Sequence, residues 1–350
     1  MSSLKNIKDQ VHSISATKQM TASMKVVAVS RLKKKHAAFL ETIPYADEMN
    51  RVVRRLVRSM KLRQEALIWQ NDKTLVKWPA LLNGNGRDDR YLIVMMTSDD
   101  GLSGASALQV VLQTQKLVEY LKEQKKNVSV VAYGARGADI FKRLCPEISL
   151  MRIKSKKTKE TGAYVNAERL TADVMASFEQ GRFDRCLIVY NQFRSIISQV
   201  PIIEQIIPSN MFLKENPWDF MVEEKKVAPK KSSFLSAIGG VNVLSSLEGA
   251  IFKTNLRGGK RSPEVYDYEP SDSSILEAIL PQYLTAYVYR VILESEVSDN
   301  AARLMAMDNA TRNASDMLDK LSRIYRRTRQ AKITTDIAEV SAGANREMRT

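Results

Sequence analysis

The stretch QYLTAYVYRVILESEVSDNAARLMAMDNATRNASDMLDKLSRIYRRTRQAKITTDIAEVSA, residues 282–342, contains neither glycine nor proline. Those are the two strongest breakers of a helix. From Ala310 onward, apolar or small residues recur in two seven-residue series. One is Ala310, Met317, Ile324, Ala331 and the other is Ala314, Leu321, Thr328, Thr335. Alternating steps of four and three make an a/d seam of the kind two helices bury between them. At ~1.5 Å per residue the run reaches roughly 90 Å, far longer than an ordinary globular helix. A helix of that length needs a partner, and the other end of the chain offers one.

From Met1 to Ile43 glycine and proline are again absent, and Leu4, Ile7, Val11 and Ile14 step by three and four. Met24 and Val27 extend this apolar face, with Lys18 and Thr21 diluting it. Pro44 lacks an amide proton and clashes with the preceding turn, so a kink or local break is expected there. The pattern resumes at Met49, Val53, Leu56 and Met60. Around it Arg51, Arg54, Arg55, Arg58, Lys61 and Arg63 follow without an intervening acid, as a solvated basic face or a docking strip for an acidic surface.

Between the two ends the pattern changes to alternating strands and helices. Tyr91–Thr97 is a continuous apolar run bounded by turn residues, the signature of a strand buried on both faces. Val128–Gly134, Ile148–Ile153, Cys186–Asn191 and Ile196–Ile207 read as further strands. Helical patterns follow the first strand to about Gln124 and cover Ala138–Leu144 and Tyr164–Gln180. This alternation implies right-handed crossovers and a mainly parallel sheet, with the last two strands close enough to pair antiparallel. Asn83–Gly86 and Lys154–Gly162 read as loops. The Gly-rich turn Asp99–Gly104 sits where nucleotide folds place phosphates. It has neither glycine-loop pattern and carries two acids, so a tight turn with a capped helix is expected instead.

Composition limits the function classes. The chain has 350 residues, a net charge of +15 and only 7% aromatic residues. The charge points to a polyanionic or acidic partner. Two histidines, His12 and His36, are too few for a histidine-dependent triad or a histidine-rich metal site, and Cys145 and Cys186 suggest no disulfide framework. No cofactor, metal or small-molecule substrate is expected. No apolar run reaches the ~18 residues that span a bilayer, and the helical pattern starting by Leu4 argues against a targeting peptide. The expected fold is therefore α/β: a long antiparallel coiled coil from the terminal helices, with an inserted Rossmann-like α/β domain. Its segments are 1–66, the first coiled-coil helix; 88–208, a globular foot; 209–272, a linker with an insertion at about 225–263; and 273–345, the return helix. Within the insertion, Phe234–Phe252 is apolar enough to dock. A basic coiled-coil protein that binds nucleic acid or acts as a scaffold is the alternative, although aromatic platforms are few and no reading motif is present.

These residues resemble one family, the gamma subunits of F-type ATP synthases. The opening helix, LKNIKDQVHSISATKQMTASMKVVAVSRLKK from Leu4, matches K-x-I-x-x-x-x-S-I-x-x-T-x-x-x-T-x-x-M-K-x-V-A, and Pro44-Tyr45-Ala46 matches P-Y-A. Thr97–Gly104 matches T-S-D-R-G-L-C-G with Asp100 for arginine and Ser103 for cysteine, and 188–208 fits the paired strands. The most specific match is Ser295–Ala344, with Ala301–Met307 and Arg329–Thr334. Lys18-Gln19 reverses the usual Q-K, and Ala22 replaces a common lysine.

The resemblance implies a rotor shaft of a central stalk, non-catalytic itself, standing in a ring of alpha and beta subunits. It implies beta contacts at Met24, Arg329, Gln330 and Thr334. A foot would meet an epsilon-type subunit and the membrane c-ring, and Pro44 would help curve the shaft. The location it implies is peripheral on the inner membrane, at the cytoplasmic face in a bacterium or the matrix face in an organelle.

Overall fold

In the computed structural model residues 4–69, 78–153, 162–209, 217–221 and 272–347 are described. The expected insertion at 225–263 and nearly all of the expected loop at 154–162 lie outside them. Leu4–Trp69 forms one helix, α1, and Asp272–Glu347 forms another, α6. The chain divides into two compact units, Met1–Arg31 with Arg303–Thr350, and Leu32–Ala302, and both long helices contribute to each. No described helix is long and apolar enough to cross a membrane.

In the unit Leu32–Ala302 the apolar runs become a five-stranded sheet. Its strands are β1 (Arg90–Met96), β2 (Asn127–Tyr133), β3 (Leu150–Ile153), β4 (Arg185–Phe193) and β5 (Gln199–Ile207). They lie in the order β3-β2-β1-β4-β5, with the first four parallel and β5 antiparallel to β4. The central strand β1 is buried on both faces because both faces are covered. Ile93 and Met95 pack with Val189 beneath α3 (Ser106–Glu123) and α4 (Ala135–Leu144). Leu92, Val94 and Met96 pack with Ile188 against α5 (Gly162–Glu179), α1 and α6. Val53, Leu56 and Met60 of α1 and Leu276, Leu280 and Leu284 of α6 share that second core. A short helix, α2 (Ala80–Asn83), leads into the expected loop and overlaps it only at Asn83. Proline, whose fixed φ suits a helix start, precedes it at Pro79, and its carbonyl accepts the Leu82 amide.

The turn after β1 caps a helix, and that helix is α4. Asp99 Oδ1 accepts the Ala135 amide at 2.8 Å and Thr97 Oγ1 accepts the Gly137 amide at 3.1 Å. One of the two acids that count against phosphate is thus used at a helix N-terminus of the chain itself.

Of the kink or local break expected at Pro44, the break does not form. α1 runs through Pro44 without a break, and α6 likewise contains Pro281. Pro44 lies on the exposed face, where water can reach the carbonyl freed by its missing amide proton.

The seam of the unit Met1–Arg31 with Arg303–Thr350 also differs from the expected one. Lys18 and Thr21 do not dilute it: Ile7, Val11, Ile14, Lys18, Thr21, Lys25 and Ala28 keep the three/four spacing and are all buried or half-buried. On α6 the series Ala314, Leu321, Thr328 faces inward, but its companion is Thr311, Leu318, Tyr325 rather than Ala310, Met317, Ile324. Met317 is 53% exposed and Ile324 49%. Both phases satisfy the same spacing, and the partner helix selects between them.

Candidate functional site

Three polar contacts cross the seam of the smaller unit. Lys18 Nζ donates to Ser315 Oγ at 3.0 Å, and the hydroxyls of Thr21 and Thr311 lie 2.9 Å apart. Lys25 Nζ pairs with Asp308 Oδ1 at 2.6 Å, and Asp308 Oδ2 also receives Arg312 at 3.0 Å. One index falls as the other rises, so the helices run antiparallel. These contacts fix register where apolar packing would tolerate sliding, because a one-residue slip would leave the buried Asp308 without Lys25. Replacing Lys25 with methionine should cost the chain about 1 kcal/mol of stability. Thermal unfolding of wild type and variant at matched ionic strength is the check.

Continuing that register sets Leu4 opposite about residue 329 of α6. From Arg329 to Ser341 every residue of α6 is exposed. Within that run Ile333, Ile337 and Val340 recur at the spacing of one helix face, and the last two are 64% and 74% exposed. At 100° per residue, Arg329 and Gln330 fall within about 60° of Ile333, and Thr334 lies at the stripe's edge. The Thr334 hydroxyl is used locally, donating to the Gln330 carbonyl at 2.9 Å. Met24 is half-buried on α1. By register it lies about 20 residues, ~30 Å, from Arg329 along α6. The four expected contact residues therefore form two places, one of three residues and one of Met24 alone. The apolar stripe belongs to neither seven-residue series of the sequence: it lies about 120–180° around α6 from the seam residue Thr328, and its own three/four spacing is the signal that could have found it.

A second cluster lies in the larger unit. The Tyr287 hydroxyl donates to Glu204, whose Oε2 also lies 3.7 Å from Arg290 Nη2 and 3.3 Å from the Tyr190 hydroxyl. The Tyr190 oxygen is also 3.5 Å from Glu294 Oε2, and the Arg290 guanidinium sits over the Tyr287 ring at 5.2 Å. Burial pushes the Glu294 carboxyl up to about 7, with Arg290 opposing the shift and Glu204 adding to it. A folded pKa above the ordinary 4.5 means that the folded chain holds this proton more tightly. The resulting stability is full below about 4.5 and is lost as pH rises through about 7. Glu294→Gln removes that dependence. Relative to wild type, the variant should gain on the order of 2 kcal/mol between pH 5 and pH 8, read from denaturant midpoints. The clue in the sequence is Arg290 and Glu294, an i,i+4 charge pair inside an otherwise apolar helix face.

Among the described residues no group of three or more histidines, cysteines or acids is placed to hold a metal. The basic residues Arg51, Arg54, Arg55, Arg58, Lys61 and Arg63 are all exposed on α1.

A family model described as ATP synthase matches residues 3–346. An ATP synthase gamma chain of Rhodospirillum rubrum is 34% identical over 344 residues, 98% of this chain and 99% of that relative. One of Paracoccus denitrificans is 31% identical with the same coverage. A chain of the Euglena gracilis mitochondrial ATP synthase, from a structure of its OSCP, F1 and c-ring, shares the fold at a TM-score of 0.54 and 16% identity. That likeness covers 98% of this chain and 93% of the other.

Proposed function

The chain belongs to the ATP synthase gamma-chain family, and from that premise we propose how its exposed helix works. As a member it is a subunit of the ATP synthase complex, a central-stalk component that couples proton flow to ATP synthesis or hydrolysis. Residues 329–341 of α6 stand within the ring of alpha and beta subunits. Ile333, Ile337 and Val340 bear on the ring wall, and Arg329 and Gln330 transmit torque to beta. Thr334 flanks that contact, and Met24 makes a separate one further along the pair. The observation that carries this reading is the fully exposed helical run, with its apolar face beside the very residues the family pattern marks.

The chemistry of that run suits a bearing that has to change partners. Three equivalent beta subunits are met in turn, so no single contact should hold tightly. Exposed charge contacts at Arg329 are worth only ~0–1 kcal/mol each and exchange at modest cost. The apolar stripe supplies contact without direction. The chain itself is non-catalytic and binds no nucleotide; ATP is made or hydrolysed on the ring. Its α/β unit meets the epsilon-type subunit and the membrane c-ring. The assembly is peripheral on the inner membrane, at the cytoplasmic face in a bacterium or the matrix face in an organelle, and Pro44 contributes to the curve of the shaft.

Replacing Arg329 and Gln330 together with alanine is expected to lower ATP synthesis and coupling while the chain still assembles, since both side chains are exposed and polar. Co-purification with alpha and beta subunits, followed by ATP hydrolysis and synthesis assays in vesicles, tests it. Unchanged synthesis and coupling in assembled enzyme would remove these residues from the torque path.

A further inference from the structure

In open α/β sheets the ligand seat is the crevice beyond the carboxyl ends of the strands, where the strand order reverses. Here that point lies between β1 and β4, because the chain runs from β1 out to β2 and β3 and then returns to the other side of β1 at β4. The helix N-terminus at this point belongs to α3, where a nucleotide fold would place a phosphate. A carboxylate of the chain itself is held beside it, through the side chain of the helix's first residue. Ser106, the first residue of α3, donates its hydroxyl to Asp299 Oδ1 of α6 at 2.6 Å. Asn191, near the end of β4, holds Ser106 from behind: its amide donates to the Ser106 carbonyl at 3.0 Å and to Oγ at 2.9 Å. Asp299, Ser106 and Asn191 are all buried.

One strand residue earlier, β4 holds α6 again. Successive strand side chains point to opposite faces, so Tyr190 reaches through the other face to the network of Glu204, Tyr287, Arg290 and Glu294. The two attachments on α6, at Arg290 and at Asp299, are about 13 Å apart along the helix. Apolar packing alone resists separation but is non-directional. Charged hydrogen bonds at two points on opposite faces of one strand add direction. Turning α6 against the sheet has to break at least one of them.

We propose that this switch-point crevice serves as a socket: Asp299 seats α6 in it, and with the Tyr190–Glu204–Arg290 network it makes the sheet and α6 turn as one body. Asp299, Ser106, Asn191, Arg290 and Glu204 are then positioning residues for torque transfer between the α/β unit and α6. This inference rests on the central-stalk reading above.

The test uses the complete ATP synthase reconstituted in vesicles with wild-type or variant chain, comparing ATP-driven proton pumping with ATP hydrolysis in the same preparation. In assembled Asp299→Ala enzyme, pumping per ATP hydrolysed should fall about fivefold or more, with hydrolysis per assembled complex retained. Asp299→Asn, which keeps an acceptor for Ser106, should restore most of the ratio. Arg290→Met with Glu204→Gln and Glu294→Gln removes the second attachment without leaving a buried charge unpaired, and is the second variant should Asp299→Ala fail to assemble. It too should lower the ratio. A wild-type ratio in either assembled variant overturns the socket, as does a loss of both activities in strict proportion to lost assembly. If the wild-type chain itself fails to co-purify with alpha and beta subunits, the central-stalk reading fails and the socket falls with it.

Discussion

Asp184→Ala should lower the unfolding free energy of the chain by about 3–5 kcal/mol, because one buried carboxylate organises the start of two strands. Asp184 precedes β4 and accepts the backbone amides of Asp89 at 3.1 Å and Arg90 at 2.9 Å, at the start of β1. It also accepts the Asn85 side-chain amide at 2.6 Å and the Arg90 guanidinium at 2.9 Å. Truncation leaves the two amides and the asparagine short of a partner in a site closed to water. Burial by itself would raise the Asp184 carboxyl. Its donors, first Arg90 and Asn85 and then the two backbone amides, outweigh that and hold it well below its ordinary 3.8. A depressed folded pKa gives stability that is present above the unfolded value and lost as pH falls through the folded one. The gap between wild type and Asp184→Ala should therefore be full at pH 7 and shrink as pH drops below about 3.8. Urea unfolding of both chains across that range measures it. A gap under 1 kcal/mol at pH 7, or one that widens in acid, would show that the strand starts are held by something else.

That cluster illustrates which features the sequence could reveal. Strands β1, β2 and β4 were legible as apolar runs ending at turn residues, because a strand covered on both faces has no need to alternate. Asp184, lying between Phe183 and Arg185, gave no such sign. Its role depends on Asn85 and Arg90, nearly a hundred residues away, and no local pattern encodes that meeting. The polar seam was misread for the same reason. Lys18 and Thr21 interrupt an apolar face when α1 is read alone, yet they are matched by Ser315 and Thr311 of α6. Compensation belongs to the pair of helices. The seam phase on α6 could not be chosen from spacing, since the series through Ala310 and the series through Thr311 both step by three and four.

The candidate contact residues divide differently. Arg329, Gln330 and Thr334 came from a family pattern, and nothing in their own chemistry singles them out from the many other polar residues of the helix. Their exposure on a run beyond the register of Leu4 is a three-dimensional fact about where α1 starts its described course. The apolar stripe at Ile333, Ile337 and Val340 was readable by spacing, but spacing alone assigns it to a seam. Its own exposure, beside the burial of the paired residues earlier on α6, is what sets it apart from the seam.

A comparable loss of stability is expected from Gly134→Ala, and it explains what the turn after β1 does. Gly134 lies between β2 and α4 with φ at +102°, a conformation L side chains rarely adopt. A Cβ there would lie 2.1 Å from the Thr97 carbonyl oxygen, far inside any real contact. The backbone has to move, and the Thr97 amide bond to the Tyr133 carbonyl at 2.8 Å moves with it. Strain and overlap together should cost about 3 kcal/mol or more. Gly137 faces the same threonine, but its added Cβ would meet the side chain, Cγ2 and Oγ1 both at 2.5 Å. The two glycines therefore answer differently to a second change. Thr97→Ala should relieve part of the Gly137→Ala defect, coupling by roughly 1 kcal/mol, and should leave most of the Gly134→Ala defect, because its closest collision is with the carbonyl and Thr97 Oγ1 lies further off at 2.8 Å. Chemical denaturation of the two single variants and the two doubles resolves these terms. Equal rescue of both would mean that the turn yields as a whole. Greater rescue of Gly137→Ala than of Gly134→Ala would show that Thr97 and the two glycines are shaped to bring β1, β2 and α4 together.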